Sequence, residues 1–471
     1  MATAPVIGLA GLGLNTYWPQ FAGLHDRLVG YQHRISDRLK GLGATVTDVG
    51  LVDDPALAPG AGERLRDADL IFLNLSTYAL SSTVLPLLQK AGRPVVVLNL
   101  QPVAAIDYAA FNALGDRGTM TGEWLAHCQA CSVPEIAAVL RRVGIPFHVV
   151  TGVLDDDRTW AKIGSWVAAA RVVRDLGRLR LGLLGHYYGG MLDVYSDLTR
   201  LAGTFGVHHE ILEMDELVDR ARRTSDAEIA AVEDDFRRFF SIDPTCTPAE
   251  LRRAARTTHA LQTVVAEHRL GALAYYHEGV AGDASQDLVT SVIPGFTLLT
   301  SRGIPVAGEY EVKNALAMRI LQALGAGGSF SEFYCMDFTD DVVLLGHDGP
   351  AHGGIAEGPV GLVPLPVYHG KPGQGLSIQM RVRNGPVTLL SVVEGPEGVS
   401  LLFAEGQCVP GPTLAIGNTN SRYRFPIGAT AFIEAWSAAG PAHHCAIGIG
   451  HHADTLARCA ALWRIPATRV C

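Results

Sequence analysis

Two glutamates, a lone histidine and a histidine pair carry the chemistry this chain offers. Glu309, Glu332 and His347 fall within residues 303–347. That stretch runs Gly-Ile-Pro-Val-Ala-Gly-Glu309-Tyr-Glu311-Val-Lys313, then Ser-Phe-Ser-Glu332-Phe-Tyr, then Val-Val-Leu-Leu-Gly-His347. His443-His444 follows Trp436-Ser-Ala-Ala-Gly-Pro-Ala. Carboxylates and imidazoles delivered to element ends supply an acid/base pair or the ligands of a metal ion. A carboxylate-plus-imidazole set suits manganese, cobalt or magnesium better than a thiolate set would.

The elements that must position these groups are legible in part. Val312, Leu316, Ile320 and Leu324 recur at helical spacing, which places Glu309 at the start of a buried helix. Glu332 precedes an aromatic pair, and His347 closes a strand-like run that Gly346 stops. Each residue also has a plain reading, since a glutamate at a helix start complements the helix dipole. Glu311 and Lys313 read as support behind the site. His352 and His369 divide between site and loop structure. Arg381, Arg383 and Arg422 either grip an anionic substrate, such as a sugar phosphate or an acid, or are ordinary exposed strand and loop charges, the reading we favour.

Residues 1–175 alternate strand-like and helical patterns, with strands near 6–9, 45–49, 70–75, 95–100 and 147–150. A second alternating unit covers 176–325, with strands at 181–184 and 273–276, the latter delivering Tyr276, His277 and Glu278. This rhythm predicts α/β architecture with two parallel, Rossmann-like sheets. From 326 to 471 short strands punctuated by Gly and Pro predict a β-rich domain. Its polar loops are Tyr368-His369-Gly-Lys371 and Gly417-Asn-Thr-Asn-Ser-Arg422. Loops at the carboxyl ends of parallel strands form ligand crevices, which makes Tyr17 and Trp18 candidate contacts. Gly8, Gly11 and Gly13 follow a G-x-x-G-x-G order instead of the dinucleotide G-x-G-x-x-G, and read as a glycine-rich first loop. His208, His209, His259 and His268 show no mutual spacing logic and read as surface or packing residues.

Composition narrows the function classes. A chain of 471 residues exceeds one typical core, so two or three domains are expected. Hydrophobic residues at 48% and charged residues at 18% describe a globular protein. A net charge of −9 without a basic run argues against a nucleic-acid partner. No apolar run approaches the ~18 residues of a membrane span. The opening Met-Ala-Thr-Ala-Pro lacks the charged region of a signal peptide. Eight scattered cysteines fit reduced thiols in a cytoplasm. Cys128 and Cys131 form a C-x-x-C beside His127, but no second pair has zinc spacing.

Several motifs together resemble bacterial L-arabinose isomerase. They are Gly303-x-x-x-Ala307-Gly308-Glu309-x-Glu311-x-Lys313-x-Ala315 with Arg319-Ile320, then Ser329-Phe330-x-Glu332-x-Tyr334, then Val343-Leu344-x-Gly346-His347. Trp436-x-x-Ala-Gly-x-Ala-His443-His444 and Ile163-Gly164-Ser165-Trp166 complete the set, in the family's order. The resemblance implies the L-fucose/L-arabinose isomerase fold, with two α/β domains and a β-rich carboxyl-terminal domain. It implies a divalent metal, usually manganese, held by Glu309, Glu332, His347 and His444, with Glu309 and Glu332 as the acid/base pair of aldose–ketose isomerisation. It further implies substrate contacts from Tyr17, Trp18, His127, Met191, Tyr276 and His443. His127 would reach the site of a neighbouring subunit in a trimer or hexamer. Departures cluster at substrate-facing positions: Leu-Asn-Thr-Tyr17-Trp18, Tyr276, the His347–His352 loop and the Gly417–Arg422 loop. The reaction class is therefore better marked than the sugar. An epimerase or lyase on the same scaffold and a non-catalytic sugar-binding protein are the alternatives. A nicotinamide oxidoreductase rests on the first glycines alone.

Overall fold

The computed structural model describes residues 4–279, 284–366 and 374–471; Tyr368, His369 and Lys371 lie outside them. The chain divides into two compact units, Ala2–Arg174 and Asp175–Cys471.

The first unit is built on five parallel strands: β1 (Val6–Leu12), β2 (Thr45–Val52), β3 (Leu70–Leu75), β4 (Val95–Gln101) and β5 (Phe147–Val153), in the order β2-β1-β3-β4-β5. Every residue of β3 is buried, and apart from Asn74 all are apolar, so it does not alternate. Helix Leu24–Gly41 turns Leu28, Ile35 and Leu39 to the interior. Gly8 and Gly11 lie within β1 and not in the loop after it. A Cβ on Gly11 would stand 2.7 Å from Leu51 and 2.8 Å from Gln32, so this glycine permits close packing.

The second unit opens with β6 (Arg180–Gly185), β7 (His208–Leu212), β8 (Phe240–Ile242), β9 (Ala272–Tyr276) and β10 (Val306–Ala307). Four of these form a parallel sheet in the order β10-β9-β6-β7. Capping chemistry marks its helices: Ser225 and Glu228 form a capping box on Asp226–Phe239, and Thr247 caps Pro248–Glu267. The β-rich part comprises β11 (Gly327–Asp337), β12 (Val342–His347), β13 (Val360–Pro364), β14 (Leu376–Gln379), β15 (Gly385–Gly395), β16 (Gly398–Val409), β17 (Thr419–Arg424), β18 (His444–Ile449) and β19 (Ala467–Arg469). Strand β15 pairs with both β18 and β16, closing β15-β18-β11-β12-β17-β16 into a barrel to which β19 is added. Strands β14 and β13 pair with β8 in a smaller sheet.

Helix Val312–Ala323 is the central element of this unit. It packs against β9 and β10 on the parallel sheet and against β11, β15 and β18 of the barrel. Most of its residues are buried, Lys313 and Asn314 included. One hydrophobic cluster continues through the unit, from Leu184 and Phe236 to Phe296, Trp436 and Ile447. Two expectations change here. Glu309 does not start the helix: Glu311 is its N-cap, and Glu309 precedes it in a turn. The 417–422 segment is largely strand, because Thr419–Arg424 pairs with β12 and is mostly buried. No helix among the described residues is long and apolar enough to cross a membrane.

Candidate active site and metal centre

Strand register assembles the centre. Glu332 on β11 lies directly opposite His444 on β18 and opposite Gly346 on β12. Directly opposed residues share a face, so residues 112 positions apart in Glu332 and His444 become neighbours. His347 ends β12 one residue after Gly346. Gly346 is obligatory in this register, since a Cβ there would stand 2.1 Å from the Thr419 carbonyl oxygen. Phe330, buried on β11, sets its ring 4.5 Å from His347 and 4.3 Å from His444.

Glu309 enters from the opposite side on a turn with two consecutive left-handed residues, Glu309 (φ 54°) and Tyr310 (φ 60°). Such backbone costs roughly 1–2 kcal/mol per non-glycine residue. Tyr310 N–H donates to the Tyr275 carbonyl at 3.1 Å, and Glu311 N–H donates to Gly308 at 2.9 Å, which holds the turn. The strain coincides with the residue that offers its carboxylate to the centre.

Potential ligand atoms gather in two overlapping groups, Glu309–His347–His444 and Glu332–His443–His444, each within 4.8 Å. Glu309 Oε2 and His444 Nε2 are buried, 3.5 Å apart, and lack hydrogen-bond partners. Glu311 explains the orientation of His444. Its Oε2 lies 2.5 Å from His444 Nδ1, and both side chains are inaccessible to water. A carboxylate on one ring nitrogen fixes the tautomer and presents the other nitrogen as a ligand. Unpartnered buried oxygen and nitrogen atoms of this type fit a divalent cation. Burial pushes the Glu309 carboxyl up, but the imidazoles of His443, His444 and His347 outweigh it and hold it below its ordinary range. The Glu309 carboxylate, with Asp193 adding to it and burial opposing, raises His443 to about 9.

A cleft opens beside these groups. Glu309, Glu332, His347 and Asp348 form its polar side, and Tyr276, Val292, Ile293 and Phe296 its aromatic and aliphatic side. Tyr276 is thus among the residues that line the cleft. Met191 lies in the loop after β6 and is not among the cleft's lining residues. His443 stands against Glu309, with Nε2 3.6 Å from Oε2. Tyr17, Trp18 and His127 belong to the first unit. There Trp18 Nε1 donates to Asp53 at 2.5 Å, and His127 Nε2 lies 3.2 Å from Glu123. Burial pushes the neighbouring Cys128 thiol up to about 12, which keeps it protonated at neutral pH.

His352, left undecided by the sequence, and Arg422, expected to be an exposed charge but in fact buried, both have structural roles. His352 places Nε2 3.0 Å from Gln322 Oε1 and accepts from Gly354 N–H on Nδ1 at 3.1 Å, away from the ligand groups. Arg422 is buried and paired with Asp340 and Asp337, so its charge is committed within the barrel. Among the other histidines, His208 and His268 pair with Glu210 and Glu216. Asp193 and Asp348 were not singled out by sequence. An acidic residue in a loop carries no local signal of the strand end it will meet.

No family model matches the chain. It is similar to the sulfoquinovose isomerase of Alkalicoccus urumqiensis, with 24% identity over 60% of this chain and 62% of that one. It is similar also to the L-arabinose isomerases of Nocardioides sp. (24% over 69% of this chain and 66% of the relative) and Klebsiella pneumoniae strain 342 (24% over 68% and 66%). The chain spans less than two thirds of the length of each of these relatives. These relatives are L-arabinose isomerases and a sulfoquinovose isomerase, which is consistent with the resemblance to arabinose isomerases carried by the motifs.

Proposed function

We propose that this protein is a metal-dependent aldose–ketose isomerase acting on a small sugar through an enediol. Glu309, Glu332 and His347 line one cleft with His444 grouped beside them, in a chain whose homologues are sugar isomerases, and this supports the reading. Glu309, Glu332, His347 and His444 would hold the metal, with manganese the favoured ion and cobalt or magnesium the alternatives. When bound, a divalent cation supplies Lewis-acid stabilisation of the oxygen that gains charge during the reaction.

The chain's own groups account for the proton movements. Glu309 is held ionised by its imidazole neighbours and serves as the base that takes the proton from C2. Glu332 serves as the acid on the other side and delivers a proton to C1. The hydroxyl proton of O2 passes to O1, so aldose and ketose have the same composition. His443 and Tyr276 bind sugar hydroxyls. Tyr17, Trp18 and His127 are proposed to complete the site of a neighbouring subunit in a trimer or hexamer. A cytoplasmic location accords with the free thiols.

The test is ketose formation from a panel of aldopentoses, aldohexoses, deoxysugars and sulfoquinovose with manganese added. Turnover should vanish with chelator and in Glu309→Gln. Bound metal without turnover of any aldose would sink the isomerase reading.

A further inference from the structure

Asp193 sits in the short turn Leu192–Val194 that follows β6, far in sequence from every residue of the metal centre. Its Oδ2 accepts two hydrogen bonds from a single residue, from the His443 backbone N–H at 3.0 Å and from ring Nδ1 at 2.6 Å. A ring whose Nδ1–H is committed to a carboxylate turns its Nε2 outward. In His443 that atom faces Glu309 Oε2 at 3.6 Å.

The turn is itself anchored from the interior. Lys313 Nζ donates to the carbonyls of Asp193 at 2.8 Å and Tyr195 at 3.0 Å, and to Ser196 Oγ at 3.4 Å. Lys313 is 3% exposed, and an ammonium has three protons to donate. All three go to this one turn. Burying a cation is costly without full pairing, so a turn that merely linked two elements would not call for one. Lys313 stands on the helix whose preceding turn carries Glu309. Asp193 thus contacts both Lys313 and His443, His443 faces Glu309, and the short backbone segment from Glu309 to Lys313 joins the two ends.

We propose that Asp193 is a positioning residue for the isomerisation, acting through His443, whose Nε2 it holds toward Glu309 and the sugar. This rests on the isomerase reading above. His443 lies outside the proposed ligand set, so the role belongs to substrate handling and not to metal retention.

A double-mutant cycle on the full protein with its best aldose and manganese tests this. Asp193→Ala and His443→Ala should each lower kcat/KM roughly 10–100-fold. Adding Asp193→Ala to His443→Ala should change it by less than about twofold, because the two residues act as one unit. Asp193→Asn keeps an acceptor for Nδ1–H and should recover most of the loss. Manganese affinity, measured by calorimetry, should stay within about threefold of wild type in Asp193→Ala and Asp193→Asn, against a roughly 10–100-fold loss in His444→Ala. Losses that multiply in the double variant, wild-type kinetics in Asp193→Ala, or weakened manganese binding in Asp193→Asn would each overturn the proposal. A wild-type protein that turns over no aldose would remove the isomerase reading and this role with it. That result is distinct, because the cycle can be measured only on an active wild type.

Discussion

Replacing Glu311 by glutamine probes the logic of the centre without touching a proposed ligand. Glu311 Oε2 lies 2.5 Å from His444 Nδ1, and the imidazole is fully enclosed. No water can substitute for the lost carboxylate. The amide of Glu311→Gln has two ways to meet Nδ1, and both harm the site. If its oxygen accepts from Nδ1–H, its NH2 group is left buried, and the carboxylate charge facing the Lys313 ammonium is lost. If its nitrogen donates to Nδ1, the tautomer inverts and Nε2 carries a proton where a ligand lone pair is needed. Loss of a carboxylate behind a ligating histidine typically weakens metal binding 10–100-fold, or about 1.4–2.7 kcal/mol. Calorimetric titration of manganese into metal-free wild type, Glu311→Gln and Glu309→Gln measures this directly. Wild-type affinity in Glu311→Gln, with binding abolished in Glu309→Gln, would refute the reasoning, because His444 would then need no fixed tautomer.

Two further outcomes follow from the packing. Phe330→Ala removes the ring that packs against both His347 and His444, and should cost about 3–5 kcal/mol of stability by denaturant titration together with a loss of manganese affinity. His352 is buried with both ring nitrogens engaged, and burial pushes its imidazole below the ordinary value. Its unfolded state therefore takes up a proton first. The stability it contributes is full above about pH 6.5 and is lost as pH falls through the lowered folded value. His352→Gln should flatten that acid limb in denaturant titrations, and an unchanged slope would show that another group sets it.

The sequence by itself determined the periodicities and the identities of the reactive groups. The largely apolar run of β3 and the helical recurrence of Val312, Leu316 and Ile320 state local burial, and local burial is what side-chain periodicity encodes. Glu309, Glu332 and His347 stood out as carboxylates and an imidazole at element ends, and His444 joined them through the order of the motifs that resemble arabinose isomerase. Their mutual placement was a different matter. Glu332 meets His444 only because β11 pairs with β18, and His347 only because β12 pairs with β11, both decided by barrel closure across distant parts of the chain. The left-handed turn at Glu309 and Tyr310 breaks local preference and is imposed by contacts with β9, so helical spacing extended the helix too far toward it. His352 and Arg422 had the right chemistry for the site, yet Gln322 and the aspartates of the β11–β12 connection claimed them for the scaffold. Asp193 carried no local mark at all. Its meaning comes from a buried lysine on one element and a histidine at the start of another, and only tertiary packing brings those three together.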